Sequence, residues 1–250
     1  MPIKKLSTGA KTIHSSLLTG NLSFLPPAAP TSVSATNVGT GRAFNNGRAT
    51  VSFVAPSATG AGSPTSYTVT SSPGGFTASG ASSPLTVTGL QSATSYTFTV
   101  TATNLSGTSV ASSASSAITA TTVPQAPTIG SASSGDNASS TVSFTAGATG
   151  GAAVSTFTAT SSPSSITGTS ASSPITVSGL SNGTAYTFTI TATNANGTSA
   201  ASAASNSVTP VAPPYFPPAF CYNCEYVGDC GIYCNEYRNS CGETCACDCF

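Results

Sequence analysis

The chain contains the same segment twice, and that repeat constrains its fold more than any other feature. SSPLTVTGLQSATSYTFTVTATNLSGTSVAS at residues 82–112 matches SSPITVSGLSNGTAYTFTITATNANGTSAAS at residues 172–202, a constant offset of 90. The SSP at residues 71–73 returns at 161–163 with the same offset. Upstream the register slips. TVSF at 50–53 returns at 141–144, an offset of 91, and APT at 29–31 returns at 126–128, an offset of 97. The first copy therefore carries six extra residues before its TVSF segment, in the stretch NVGTGRAFNNGRA. A chain of 250 residues has room for two domains of ordinary size, one for each copy.

Within each copy the apolar residues alternate. Tyr96, Phe98, Val100 and Ala102 are separated by Thr97, Thr99, Thr101 and Thr103. Tyr186, Phe188, Ile190 and Ala192 alternate with threonines in the same way. Period two places the apolar set on a buried face and the threonines on a solvated one. Threonine is β-branched, so it favours extended backbone while its hydroxyl meets water. Val51 with Phe53, Tyr67 with Val69, and Leu85 with Val87 read likewise, and Gly, Pro, Asn and Ser clusters separate the runs. The pairs Gly74–Gly75 and Gly150–Gly151 read as turns. Short alternating strands at turn-rich intervals point to a sandwich or barrel, with no amphipathic helix.

The pattern Leu-x5-Tyr-x-Phe-x-Val/Ile-x-Ala-x-Asn, with Gly three residues later, occurs at Leu90, Tyr96, Phe98, Val100, Ala102, Asn104 and Gly107. It recurs at Leu180, Tyr186, Phe188, Ile190, Ala192, Asn194 and Gly197. It resembles the E–F corner and F strand of fibronectin type III domains of the bacterial and bacteriophage kind. The resemblance puts Tyr96 and Tyr186 at the tyrosine corner. The family usually has Trp on strand B, whereas this chain has no Trp and places Phe53 and Phe144 there. The expected fold is all-β: two consecutive fibronectin-type-III-like sandwiches at residues 29–123 and 124–210. An extended N-terminal segment (1–28) precedes them; a Pro/aromatic spacer (211–220) and a small Cys-rich knob (221–250) follow. The linker TTVPQAP is short and holds two prolines, so two sandwiches in line would make a rod on the order of 60–70 Å.

Charge is scarce, at 5% of residues against roughly 25% in a typical soluble protein. Between residues 49 and 220 the only charged side chain is Asp136. No basic patch exists to neutralise phosphates, so nucleic acid is not an expected partner. Catalysis lacks material as well. An acid–base pair needs two titratable groups in reach, and the single histidine, His14, lies outside the sandwiches. The abundant serines and threonines have no neighbouring base to activate them. The chain reads as a non-enzyme without a resident cofactor.

The chemistry sits at the ends. All eight cysteines fall at the C-terminus: Cys221, Cys224, Cys230, Cys234, Cys241, Cys245, Cys247 and Cys249. So small a segment cannot build a hydrophobic core, and cross-links must replace it. Four disulfides fit the count, and sequence does not choose among their 105 connectivities. The alternatives are two zinc ions with four cysteine ligands each, Cys221 and Cys224 forming a half-site, and a reduced, unstructured segment. An iron–sulfur cluster fits less well, because no familiar cluster spacing is present. The same region carries a net charge of −4 and a surplus of aromatic rings. Tyr222, Tyr226, Tyr233 and Tyr237 are its candidates to face a partner, a host-surface glycan or protein, although packing against disulfides accounts for them equally well.

The start of the chain is basic and has scattered apolar residues. Lys4, Lys5, Leu6, Leu17, Leu18 and Phe24 are candidate anchoring residues toward other virion or surface proteins. The opening lacks the continuous apolar run of a secretory signal, and no run of eighteen apolar residues predicts a membrane span. It also resembles the N-terminal regions of virion proteins in tailed phages. That resemblance implies a multi-copy or homo-oligomeric structural protein on the virion surface: a fibre, baseplate appendage or capsid decoration. The alternatives are a bacterial cell-surface or extracellular adhesin, and an accessory binding module of a polysaccharide-degrading system.

Overall fold

The computed structural model describes residues 25–135 and 137–212. Two all-β sandwiches fill that span. The first is built from β1 (Thr31–Asn37), β2 (Gly47–Val54), β3 (Ser66–Ser72), β4 (Thr77–Gly80), β5 (Leu85–Leu90), β6 (Ser95–Asn104), β7 (Gly107–Thr108) and β8 (Ile118–Thr119). One sheet runs β1-β2-β5; the facing sheet runs β4-β3-β6-β7, with β8 also on β6. The second sandwich repeats the plan with β9 (Thr128–Ser134), β10 (Ser139–Thr145), β11 (Val154–Ser162), β12 (Thr167–Ser170), β13 (Ile175–Ser178), β14 (Thr187–Asn194) and β15 (Gly197–Thr198). Its sheets run β13-β10-β9 and β12-β11-β14-β15. A bridge between Tyr186 and Val208 stands where the first copy has β8.

The alternation in the sequence is the alternation of burial. Along β6 every second residue is buried, from Tyr96 to Asn104, and the threonines between them are partly exposed. Phe98, Val100, Val51, Val69 and Val87 are wholly enclosed in the first core, as are Phe188, Ile190, Val142, Ile175 and Val177 in the second. Each such side chain contributes roughly 1.5–3 kcal/mol by leaving water. Phe53 packs on Tyr67 at 4.9 Å between ring centroids, and Phe144 on Phe157 at 4.7 Å.

The last edge of each sandwich is built unusually. After β7 the chain advances three residues for every two of β6. The N–H groups of Ser109, Ser112 and Ser115 donate to the carbonyls of Ala102, Val100 and Phe98 at 2.8, 2.9 and 2.9 Å. The N–H groups of those same three residues donate back to the serine Oγ atoms at 3.0, 2.9 and 3.1 Å. Each Oγ in turn donates to the carbonyl of the residue that follows its serine. A serine hydroxyl thus stands where a regular strand would offer a backbone carbonyl. Ser199, Ser202 and Ser205 make the same contacts with Ala192, Ile190 and Phe188. An edge of successive bulges offers no flat ladder to another strand.

Candidate functional site

The two corner tyrosines are buried, each 2% exposed. The N–H of Gln91 donates to Tyr96 Oη at 2.9 Å, and the N–H of Ser181 donates to Tyr186 Oη at 3.1 Å. In both the phenol is the acceptor, and it satisfies an N–H just beyond the end of the fifth strand of its sandwich. The Ser181 N–H also draws the Tyr186 phenol below its ordinary pKa, assisted by nearby hydroxyls and opposed by burial. The tyrosines are structural: each pins a turn.

The asparagines that close the F-type strands hold more. Asn104 Nδ2 donates to the carbonyls of Thr59, Gly62 and Leu25 at 2.9, 3.2 and 3.4 Å, and its Oδ1 accepts the Ser106 N–H at 2.8 Å. Asn194 Nδ2 donates to Thr149, Ala152 and Thr122 at 2.9, 3.4 and 2.9 Å, and its Oδ1 accepts the Asn196 N–H at 2.8 Å. Each asparagine therefore grips the segment that enters its own sandwich: Leu25 for the first, Thr122 for the second. Near Leu25, which is half exposed, Leu105 is 95% exposed, so this pole of the first sandwich presents apolar surface.

A shallow groove of about 280 Å³ lies along the first sandwich between Pro30–Val33 and Ser112–Ala114. The register of β1 shifts between Thr31 and Ser34, and Ser32 takes a left-handed φ of 51°. In the second sandwich Asn206 ties the last edge to β9. Its Oδ1 accepts the Ala132 N–H at 2.8 Å and its Nδ2 donates to the Ala132 carbonyl at 2.9 Å. The first copy has Ser116 at the repeat-equivalent position. The groove offers hydroxyls, methyls and backbone but no titratable group, so it supplies no acid or base.

Among the described residues the charged side chains are Arg42 and Arg48. Arg42 Nε donates to the Asn46 carbonyl at 3.0 Å, and Arg48 Nε is buried without a hydrogen-bond partner. No cluster of His, Cys, Asp or Glu that could hold a metal occurs among the described residues. Cys221, Cys224, Cys230, Cys234, Cys241, Cys245, Cys247 and Cys249 lie outside them, as do Tyr222, Tyr226, Tyr233 and Tyr237. So do Lys4, Lys5, Leu6, Leu17, Leu18, Phe24, His14 and Asp136.

Sequence reasoning missed the serine edges and the asparagine grips. The asparagines were visible as members of the repeated pattern. The serines carried one signal, a spacing of three at residues 109, 112 and 115, hidden among many other serines.

The family model of the fibronectin type III domain matches residues 28–119 and again 125–208. No curated protein matches the chain. Among solved structures, the FN1-FN3 domains of chicken CNTN1 are 16% identical over 76% of this chain and 69% of that one, with a TM-score of 0.41. The twitchin kinase region from C. elegans is 21% identical over 36% of this chain and 17% of that one, with a TM-score of 0.32.

Proposed function

The chain belongs to the fibronectin type III family, and from that premise we propose that it is a non-enzymatic display protein of a phage virion. Both recognised domains are of a family that is typically non-catalytic. A fold alone does not name a function, so the reading rests on where the chemistry lies. One observation carries it: two copies of the same sandwich turn hydroxyls and methyls outward, while nine of the twelve charged side chains and every cysteine lie before or after them. The sandwiches space; the ends attach and engage.

In this reading residues 1–24, basic and dotted with apolar side chains, bind another component of the particle. Residues 221–250, acidic, cysteine-rich and tyrosine-rich, meet the host surface. The resemblance of the opening residues to tailed-phage virion proteins supports the particle as the setting.

Deleting residues 1–24 tests the assignment. Leu25, whose carbonyl Asn104 holds, stays in place. The truncated protein is expected to keep both sandwiches folded by circular dichroism and to be missing from purified particles. Incorporation at the full-length level would overturn the reading.

A further inference from the structure

The stretch that breaks the repeat reaches the second sandwich, beside the turn at Ser92 and Ala93, which packs against Thr122 and Gly151. In the second copy β9 and β10 are joined by residues 135–138 alone; in the first, residues 38–46 join β1 to β2. The longer loop extends to the junction. Gly41 N–H donates to the Asn196 carbonyl at 2.8 Å, and the Arg42 carbonyl accepts the Val123 N–H at 2.9 Å. Asn37, at the foot of the loop, holds Thr121 twice: its Nδ2 donates to Thr121 Oγ1 at 2.7 Å and its Oδ1 accepts the Thr121 N–H at 3.1 Å. One loop of the first sandwich thus bonds to the linker and to the second sandwich together.

The linker between them is held on its other side too. Thr122 is wholly buried. Its N–H donates to Gly150 at 2.8 Å, its Oγ1 lies 2.6 Å from Ser92 Oγ, and its carbonyl accepts from Asn194 and Asn196. The contact is close enough to demand glycine. Gly150, at φ 74°, would drive a Cβ to 2.5 Å from the carbonyls of Thr122 and Val123. A Cβ on Gly39 would meet Thr121 Oγ1 and Asn196 Oδ1 inside any contact distance.

The exit of the second sandwich gives the comparison. The Pro210 carbonyl accepts the Gly183 N–H at 2.9 Å, as the Ala120 carbonyl accepts that of Ala93 at 2.9 Å. The chain leaves both sandwiches by the same route. Past Ala120 the chain is partly buried at Thr121 and buried at Thr122 and Val123; past Pro210 the next residue, Val211, is 60% exposed.

We propose that residues 38–46 form an interdomain clasp that fixes the two sandwiches as one body. Without it, a two-proline linker would leave a semi-rigid joint, and inter-domain motion is the default where the interface is small. The clasp holds whatever the chain displays, so its failure would leave the display reading intact.

The test is domain alignment in the full chain, read from backbone residual dipolar couplings. For the native protein, couplings from residues 28–119 and 125–208 are expected to fit one alignment tensor. Gly39→Val, which closes the space needed by Thr121 and Asn196, is expected to lose the common tensor while each sandwich keeps its own amide spectrum. Asn37→Ala, which cuts the linker contact without adding bulk, is expected to lose it too. Two independent tensors in the native protein would overturn the proposal, whatever the variants do. A common tensor that survives in both variants would overturn it as well.

Discussion

At the scale of single residues, the repeat supplies its own controls. Ser140 is wholly buried and its Oγ has no hydrogen-bond partner. The first copy has Ala49 at the matching place, also wholly buried. A buried hydroxyl without a partner is destabilising, since it gave up water for nothing. Ser140→Ala is expected to stabilise the second sandwich by about 1 kcal/mol, measured by urea denaturation. A loss of stability would show that the hydroxyl has a partner. Tyr96→Phe works in the other direction. It removes the acceptor of the Gln91 N–H, and the expected cost is about 1–2 kcal/mol in the same assay. The tyrosines are legible in the sequence, because alternation marks them as buried and the repeated pattern marks their place. Which end of the bond they occupy is not legible there, since sequence does not say whether a phenol donates or accepts.

At the scale of elements, period-two segments were readable and the period-three edge was not. Strands such as β6 announce themselves because burial on one face writes an apolar residue at every second position. The serine edge buries no large side chain, so it writes no apolar signal. Its order lies in hydroxyls that replace carbonyls. Ser112→Ala is therefore expected to destabilise the first sandwich by about 1–3 kcal/mol, because the Val100 N–H loses its acceptor inside the protein. Hydrogen exchange checks the mechanism locally: the Val100 amide is expected to exchange faster in the variant, with Ile190 in the other copy unchanged. An unaltered Val100 rate would rule out the hydroxyl as its acceptor. The loop at residues 38–46 was visible as a change of offset from 97 to 91, yet nothing in its composition named its contacts. An insertion between strands reads as surface loop until the partner surface is seen.

At the scale of the whole molecule, scarcity of charge is the governing fact. Residues 49–212 hold one carboxylate, Asp136, and no histidine, lysine or arginine. No group of theirs has an ordinary pKa between about pH 5 and 9. Stability changes with pH only where folded and unfolded states bind different numbers of protons. The shifted group is Tyr186, whose folded pKa lies below its ordinary value. Its contribution is full above the unfolded pKa and fades as pH falls through the folded one, so it adds stability on the alkaline side alone. The melting temperature of residues 25–212 is expected to stay flat across that window. A steep fall toward pH 5 would reveal a coupled group within the sandwiches.

In the proposed function the sandwiches are inert spacers and the ends do the engaging. Expressing residues 25–212 in place of the full chain, then probing purified particles by immunoblot, tests it most directly. A folded, soluble double sandwich that is absent from the particles is expected. Particles carrying the fragment at full-length levels would place the attachment surface on the sandwiches themselves and overturn the assignment of attachment to the ends.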